Sequence, residues 1–195
     1  MNRRTNYINI ENRKKQIIFA GRIDNTKGID KLLYAWKKYC TFHNQTIKLI
    51  ICGTGPEEQW CKDFIVSNNL ESNAKMMGFI ENKKVVQIIS ESMALILPTQ
   101  WYEGFPMTIV EAFGYGTPVL GSNIGNVGNL VIDGVTGYKF EHSSSDSMVE
   151  AVNRLVEATE YELDLFRSTF EYFQRHFTAE MNIKILSSIY EQVMK

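Results

Sequence analysis

The chain has 195 residues, 44% of them hydrophobic and 22% charged, which suits one globular domain with a sizeable core. Its 21 basic residues are cancelled by 22 acidic ones, so the cationic field that nucleic-acid binding requires is excluded. The three cysteines form no CxxC pair, and the three histidines lie far apart without partners at ligand spacing; reduced core thiols are expected, and no metal site.

The first sixteen residues, MNRRTNYINIENRKKQ, are polar and basic. They hold no apolar run of ~7–15 residues to serve as a signal and none of ~20 to span a bilayer, so a cytoplasmic location is expected. Residues 1–16 read as a linker or extension ahead of a core domain at 17–160 and a helical segment at 161–195. Short apolar runs at 17–20, 47–52, 74–77, 94–98 and 118–121, with a weaker one at 138–140, predict strands. Between them Ile29, Leu32, Leu33, Trp36 and Tyr39 recur at helical spacing, as do Trp60, Phe64 and Ile65, and then Val85, Val86, Ile88 and Ile89. Met148, Val149, Val152, Leu155 and Val156 mark a further helix, and 163–194 reads as one or two more. Strands alternating with amphipathic helices predict an α/β domain, Rossmann-like, with a parallel sheet flanked by helices.

Ligands in such folds bind beyond the carboxyl ends of the strands, so the chemistry is sought in those loops. In AGRIDNTKG, Arg22 and Lys27 are presented near the start of the first helix, where a guanidinium fork, an ammonium and free N–H groups suit an anion. A solvated, capped loop explains the same residues. In CGTGPEE, Gly53 and Gly55 permit a tight turn or close backbone approach to a ligand. GFIENKK and GSNIGNVGN are the loops after the third and fifth strands. The richest loop is PTQWYEGFPMTIVEAFGYGTPV, where Glu103 precedes a helix starting near Pro106 and Glu111 lies on it. Seven residues separate these glutamates, placing them on the order of 10 Å apart if the interval is mostly helical. A hydrolytic double-displacement pair needs ~5 Å, so the two are expected to hold different parts of one long ligand.

The ordered set formed by GR-x4-KG, GTGP, the GF at Gly78 and Phe79, EGFPMTIVEAFGYGTPV and DGVTGYKF resembles glycosyltransferase family 4, the retaining enzymes of GT-B fold, from about residue 17 to 156. The resemblance implies the C-terminal, nucleotide-sugar-binding half of such an enzyme. It implies that Arg22 and Lys27 bind the diphosphate, Glu103 the donor sugar's hydroxyls and Glu111 the ribose. The backbone at Gly78, Phe79 and Ile80 would read the base, and that of Gly104, Phe105, Pro106, Met107 and Thr108 would face the phosphates. Gly53 and Gly55 would lie against the nucleotide. One departure stands out: where the family commonly has GGxxE, this chain has GNVGN, with Asn126 and Asn129 replacing a glycine and the glutamate.

By the same resemblance the chain is a donor domain taking a UDP-sugar without a metal cofactor, whose glycan or lipid-linked acceptor is held by a separate N-terminal domain. The full-length enzyme would be at most peripheral to a membrane and would serve polysaccharide synthesis. The isolated chain is expected to turn over little, and to self-associate through its C-terminal helices, where Phe166, Phe170, Tyr172, Phe173 and Phe177 would be partly exposed. A non-catalytic nucleotide-binding module and a sugar-phosphate synthase or phosphorylase of related fold are the alternatives. A dinucleotide-binding domain is disfavoured because the first turn lacks GxGxxG.

Overall fold

Six apolar runs become the strands of one sheet in the computed structural model, which describes residues 7–43, 47–160 and 164–194. In chain order the elements are β1 (Lys14–Ala20), α1 (Ile29–Phe42), β2 (Lys48–Cys52), α2 (Glu58–Ser67), β3 (Ala74–Gly78), α3 (Asn82–Ser90), β4 (Ser92–Leu97), α4 (Met107–Phe113), β5 (Val119–Ser122), α5 (Gly125–Leu130), β6 (Gly137–Phe140), α6 (Ser145–Glu160), α7 (Leu165–His176) and α8 (Ala179–Val193). The strands pair in the order β3-β2-β1-β4-β5-β6, all parallel. The chain therefore winds outward from β1 to β3 and then returns to lay β4 beside β1. Where the winding reverses, the loops after β1 and β4 leave in opposite directions and open a crevice at the carboxyl edge.

Because side chains alternate across a strand, β1 feeds two cores at once. Ile17 and Phe19 face a layer built with Leu33 and Trp36 of α1 and Leu155 of α6. Ile18 and Ala20 face the other layer, with Ile89 of α3, Phe113 of α4 and Val127 of α5. Burial on both faces explains why these strands are apolar throughout rather than alternating.

Three expectations are corrected. The polar opening is not a free linker over its described part, for β1 begins at Lys14 and Arg13 is 8% exposed. The Arg13 guanidinium donates to the carbonyls of Ile8, Ser92 and Tyr115 and to the Thr117 hydroxyl, and it lies 5.0 Å from the centre of the Phe166 ring. Residues 1–6 lie outside the described residues. The GNVGN stretch, expected as loop, forms α5. Finally, the partial exposure expected of the C-terminal aromatics holds for Phe170, Tyr172 and Phe177, which are half-buried, but not for Phe166 and Phe173, which are buried. The exposed apolar element is α8, which has no buried residue and shows Ile183, Leu186, Ile189, Tyr190 and Val193 to solvent. The start of the expected helical region, 161–163, lies outside the described residues. Among the described residues no helix is long and apolar enough to cross a membrane.

Candidate functional site

The loop after β1 is shaped by a carboxylate. Asp24 accepts from the Lys27 backbone N–H (3.0 Å) and from the Thr26 hydroxyl (2.6 Å), closing a 3-10 turn over Asn25–Lys27. Gly28 then takes a left-handed conformation (φ 71°), and a Cβ there would lie 1.9 Å from the Pro98 carbonyl oxygen, so the turn is docked directly on the end of β4. Only glycine fits both conditions. Lys27 therefore closes a capped turn two residues before the start of α1, rather than heading the helix itself. Burial pushes the Asp24 pKa up, but the bonds from Thr26 and Lys27 and the nearby Arg22 charge outweigh it, leaving the group below its usual range.

Arg22 engages Asp24 through Nε at 3.0 Å, with its side chain 68% exposed. The engaged nitrogen is the one nearest the stem, so this pair does not use the two terminal nitrogens of the fork. Lys27 reaches across the crevice, its Nζ 2.5 Å from Glu103 Oε1. The Thr99 hydroxyl donates to the same oxygen at 3.1 Å. Two residues given separate roles from sequence are thus in direct contact, and Thr99, which carried no motif of its own, joins them. The loop bearing Glu103 is further tied to the first by the Gln100 N–H, which donates to the Thr26 carbonyl at 2.8 Å.

Two cavities meet along this crevice. One, of 260 Å³, is lined by Lys27, Thr99, Glu103, Pro106 and Met107. The other, of 440 Å³, is lined by Gly53, Thr54, Phe79, Ile80 and Asn82. Ala20, Gly21, Arg22 and Thr108 border both, so the cavities adjoin at the carboxyl end of β1. Such an elongated, two-lobed depression suits a ligand with an anionic centre and two different ends.

The remaining residues singled out in the sequence divide. Glu111 lines neither cavity, and Asn82 of the second cavity donates to its Oε1 at 3.2 Å. Gly53 lines the second cavity, but a Cβ there would lie 1.8 Å from the Gly21 oxygen; at Gly55 it would lie 2.2 Å from that of Ile23. Packing of the chain on itself therefore requires both glycines. Gly78 takes φ 66° and accepts from the Gly53 N–H at 2.8 Å, setting Phe79 outward at 80% exposure. At Gly104 an added Cβ would meet nothing within 4 Å. Phe105 is exposed beside it and lines neither cavity. Pro106, Met107 and Thr108 open α4, whose first N–H groups have no partner within the helix. Asn126, noted only as a departure, sends its amide to the carbonyls of Glu103 and Gly104.

Burial pushes the Cys40 and Cys52 thiols up to about 11 and Cys61 to about 12, which makes them inert at neutral pH. Among the described residues no group of three or more His, Cys, Asp or Glu is arranged to hold a metal ion.

An open parallel sheet flanked by helices, with a crevice where its winding reverses, defines a Rossmann-like α/β domain. The family model described as Glycosyl transferases group 1 matches residues 4–169, and the chain belongs to that family. It is 32% identical over 155 residues to the lipopolysaccharide 1,2-N-acetylglucosaminetransferase of Salmonella typhimurium, covering 75% of this chain and 40% of that protein. The fold is shared with Anabaena HepE, solved with UDP and glucose (TM-score 0.77, 21% identity, 91% of this chain and 48% of that one). It is shared also with the C-terminal domain of the LpcC glycosyl transferase of Francisella tularensis (TM-score 0.75, 17% identity, 86% and 88%). The chain spans well under half the length of the first curated relatives it matches.

Proposed function

We propose that this chain is the donor-binding half of a retaining glycosyltransferase of family 4, cytoplasmic and at most peripheral to a membrane. It takes a sugar from a nucleotide diphosphate sugar, with UDP as the nucleotide, and a separate N-terminal domain presents a glycan or lipid-linked acceptor. The observation that carries this is the Lys27–Glu103 contact in the first cavity, beside an arginine common to both cavities. That arrangement matches a ligand whose sugar, diphosphate and nucleoside lie in line. Family membership and the likeness to a fold solved with UDP and glucose support it.

In this assignment the sugar occupies the cavity of Glu103, the diphosphate lies against Arg22 and Lys27, and the nucleoside fills the cavity of Phe79, Ile80 and Asn82. The α4 N–H groups border the phosphates, Gly104 and Phe105, outside both cavities, lead the chain into that helix, and Glu111 takes the ribose hydroxyls at the rim beside Asn82. As the sugar–phosphate bond breaks, negative charge grows on the departing diphosphate, and the two cations are already in place to stabilise it. An ammonium has three donors, so Lys27 can keep Glu103 while meeting phosphate oxygens. The acceptor hydroxyl attacks from the face the diphosphate leaves, and its proton passes to the departing phosphate oxygen. The configuration is retained, and no protein nucleophile or metal cofactor takes part. The apolar stripe of α8 is assigned to contact with the acceptor-binding half; in the isolated chain it drives self-association, measurable by sedimentation.

Calorimetric titration with UDP, GDP, ADP and their sugars tests the assignment. Saturable binding of UDP and a UDP-sugar is expected, and no binding of any of these ligands overturns it. Glu111→Gln should weaken UDP while leaving pyrophosphate binding nearly intact; equal loss for both removes the ribose role. Little glycosyl transfer is expected from the purified chain, and robust transfer without a partner would refute the half-site.

A further inference from the structure

The GNVGN segment lacks the glycine and glutamate common at its position, yet the structure gives one replacement a specific task. Asn126, in the first turn of α5, donates from Nδ2 to the Glu103 carbonyl at 3.1 Å and to the Gly104 carbonyl. A side-chain amide has two N–H donors, so two successive carbonyls can be held by one group. The loop is otherwise lightly packed here. Gly104 has no neighbour within 4 Å of an added Cβ, and Tyr102 and Phe105 on either side are exposed. Gly125, preceding Asn126, lies against Tyr102: a Cβ there would come 2.9 Å from Tyr102 Cδ1. Two consecutive residues of α5 therefore brace Tyr102, Glu103 and Gly104.

The bracing completes a grip on Glu103 from both ends. Lys27 and Thr99 hold its carboxylate at Oε1, and Asn126 holds its main-chain oxygen. A side chain fixed only at its tip can still swing with its backbone. One fixed at both ends presents a single geometry, which is what recognition of a sugar's hydroxyl pattern demands. We propose that Asn126 is a positioning residue for sugar recognition: by clamping the Glu103 and Gly104 carbonyls it sets the approach of the Glu103 carboxylate to the donor's sugar. This role rests on the donor assignment above. Asn126 is itself exposed and belongs to neither core cluster, so its replacement leaves the fold intact.

Three variants test it: Asn126→Ala removes the clamp, Asn126→Asp puts a carboxylate against two carbonyls, and Asn126→Gln restores an amide. Binding of UDP, UDP-glucose and UDP-N-acetylglucosamine is measured by calorimetry, together with hydrogen exchange along the full chain. In Asn126→Ala, UDP affinity should stay within about twofold, while the dissociation constant for the sugar nucleotide that binds wild type rises about tenfold relative to UDP. Exchange should quicken across 102–105 and nowhere else. Asn126→Asp should lose at least as much sugar discrimination, and Asn126→Gln should recover part of it. Unchanged exchange in the loop, or a loosened loop with an unchanged ratio, overturns the positioning role and leaves the donor assignment standing. Failure of wild type to bind UDP or either sugar nucleotide removes the donor assignment, and this role falls with it.

Discussion

Arg13 and Arg22 stand at opposite ends of β1, and the same side chain does opposite things there. At the amino end, Arg13 is buried and its guanidinium is closed off by three carbonyls and a hydroxyl from the chain itself. Burial pulls its pKa down to about 10, countered in part by Tyr7, so it remains charged at neutral pH. At the carboxyl end, Arg22 has one carboxylate partner, through Nε, and is mostly exposed. A cation whose donors are consumed internally holds the fold together, whereas one whose fork stays open is available to a ligand. The carboxyl edge of this sheet is open in that sense and the amino edge is not.

The largest expected effect falls on the closed end. Arg13→Met leaves those acceptors without a donor, some of them buried, and should destabilise the domain by about 3–5 kcal/mol in denaturant titration. UDP affinity of the folded fraction should be unchanged, and a stability loss below about 1 kcal/mol would break the contrast. The open end predicts the reverse. Arg22→Ala and Lys27→Ala should each shift stability by less than about 1 kcal/mol while weakening UDP binding by about 1.5–3 kcal/mol. Unchanged UDP affinity in both variants would withdraw the diphosphate assignment.

The contrast also explains what could be read from sequence. The strands were legible because burial on both sheet faces leaves unbroken apolar runs, and the crossover helices because their stripes recur at the helical period. The carboxyl-edge residues were legible because glycine, proline and charge cluster in loops that the strand pattern had already placed. Arg13 was not, since a buried cation satisfied by backbone oxygens leaves no apolar signature and sits in a run of polar residues. Asn126 and Thr99 were missed for different reasons: Asn126 holds carbonyls more than twenty residues back along the chain, a contact set by the pairing of β4 with β5, whereas Thr99 meets Glu103 only four residues on, inside an irregular loop that has no period to reveal it. Gly53 and Gly55 were visible, but their necessity is tied to the backbone of 21–23, which no local pattern reveals. Apolar periodicity also could not tell α7, which packs against α4, from α8, which has no buried residue.

Asp24 offers the finest test, because it is the internal partner of Arg22 and the cap of the turn carrying Lys27. Its pKa lies below the usual carboxylate value despite the opposing effect of burial, owing to the bonds from Thr26 and Lys27 and the Arg22 charge. A carboxylate depressed in the folded state adds stability that is fully present above its unfolded pKa, near 3.8, and is lost as pH falls through the folded value. Asp24→Asn keeps a capping oxygen but fixes the neutral state. The stability gap between wild type and Asp24→Asn should therefore be constant from neutral pH down to about pH 5 and then shrink toward about pH 3. Parallel stability curves across that window would show that the charge on Asp24 is not what holds the turn. The small size expected follows from its position, since an ion pair at an open edge competes with water.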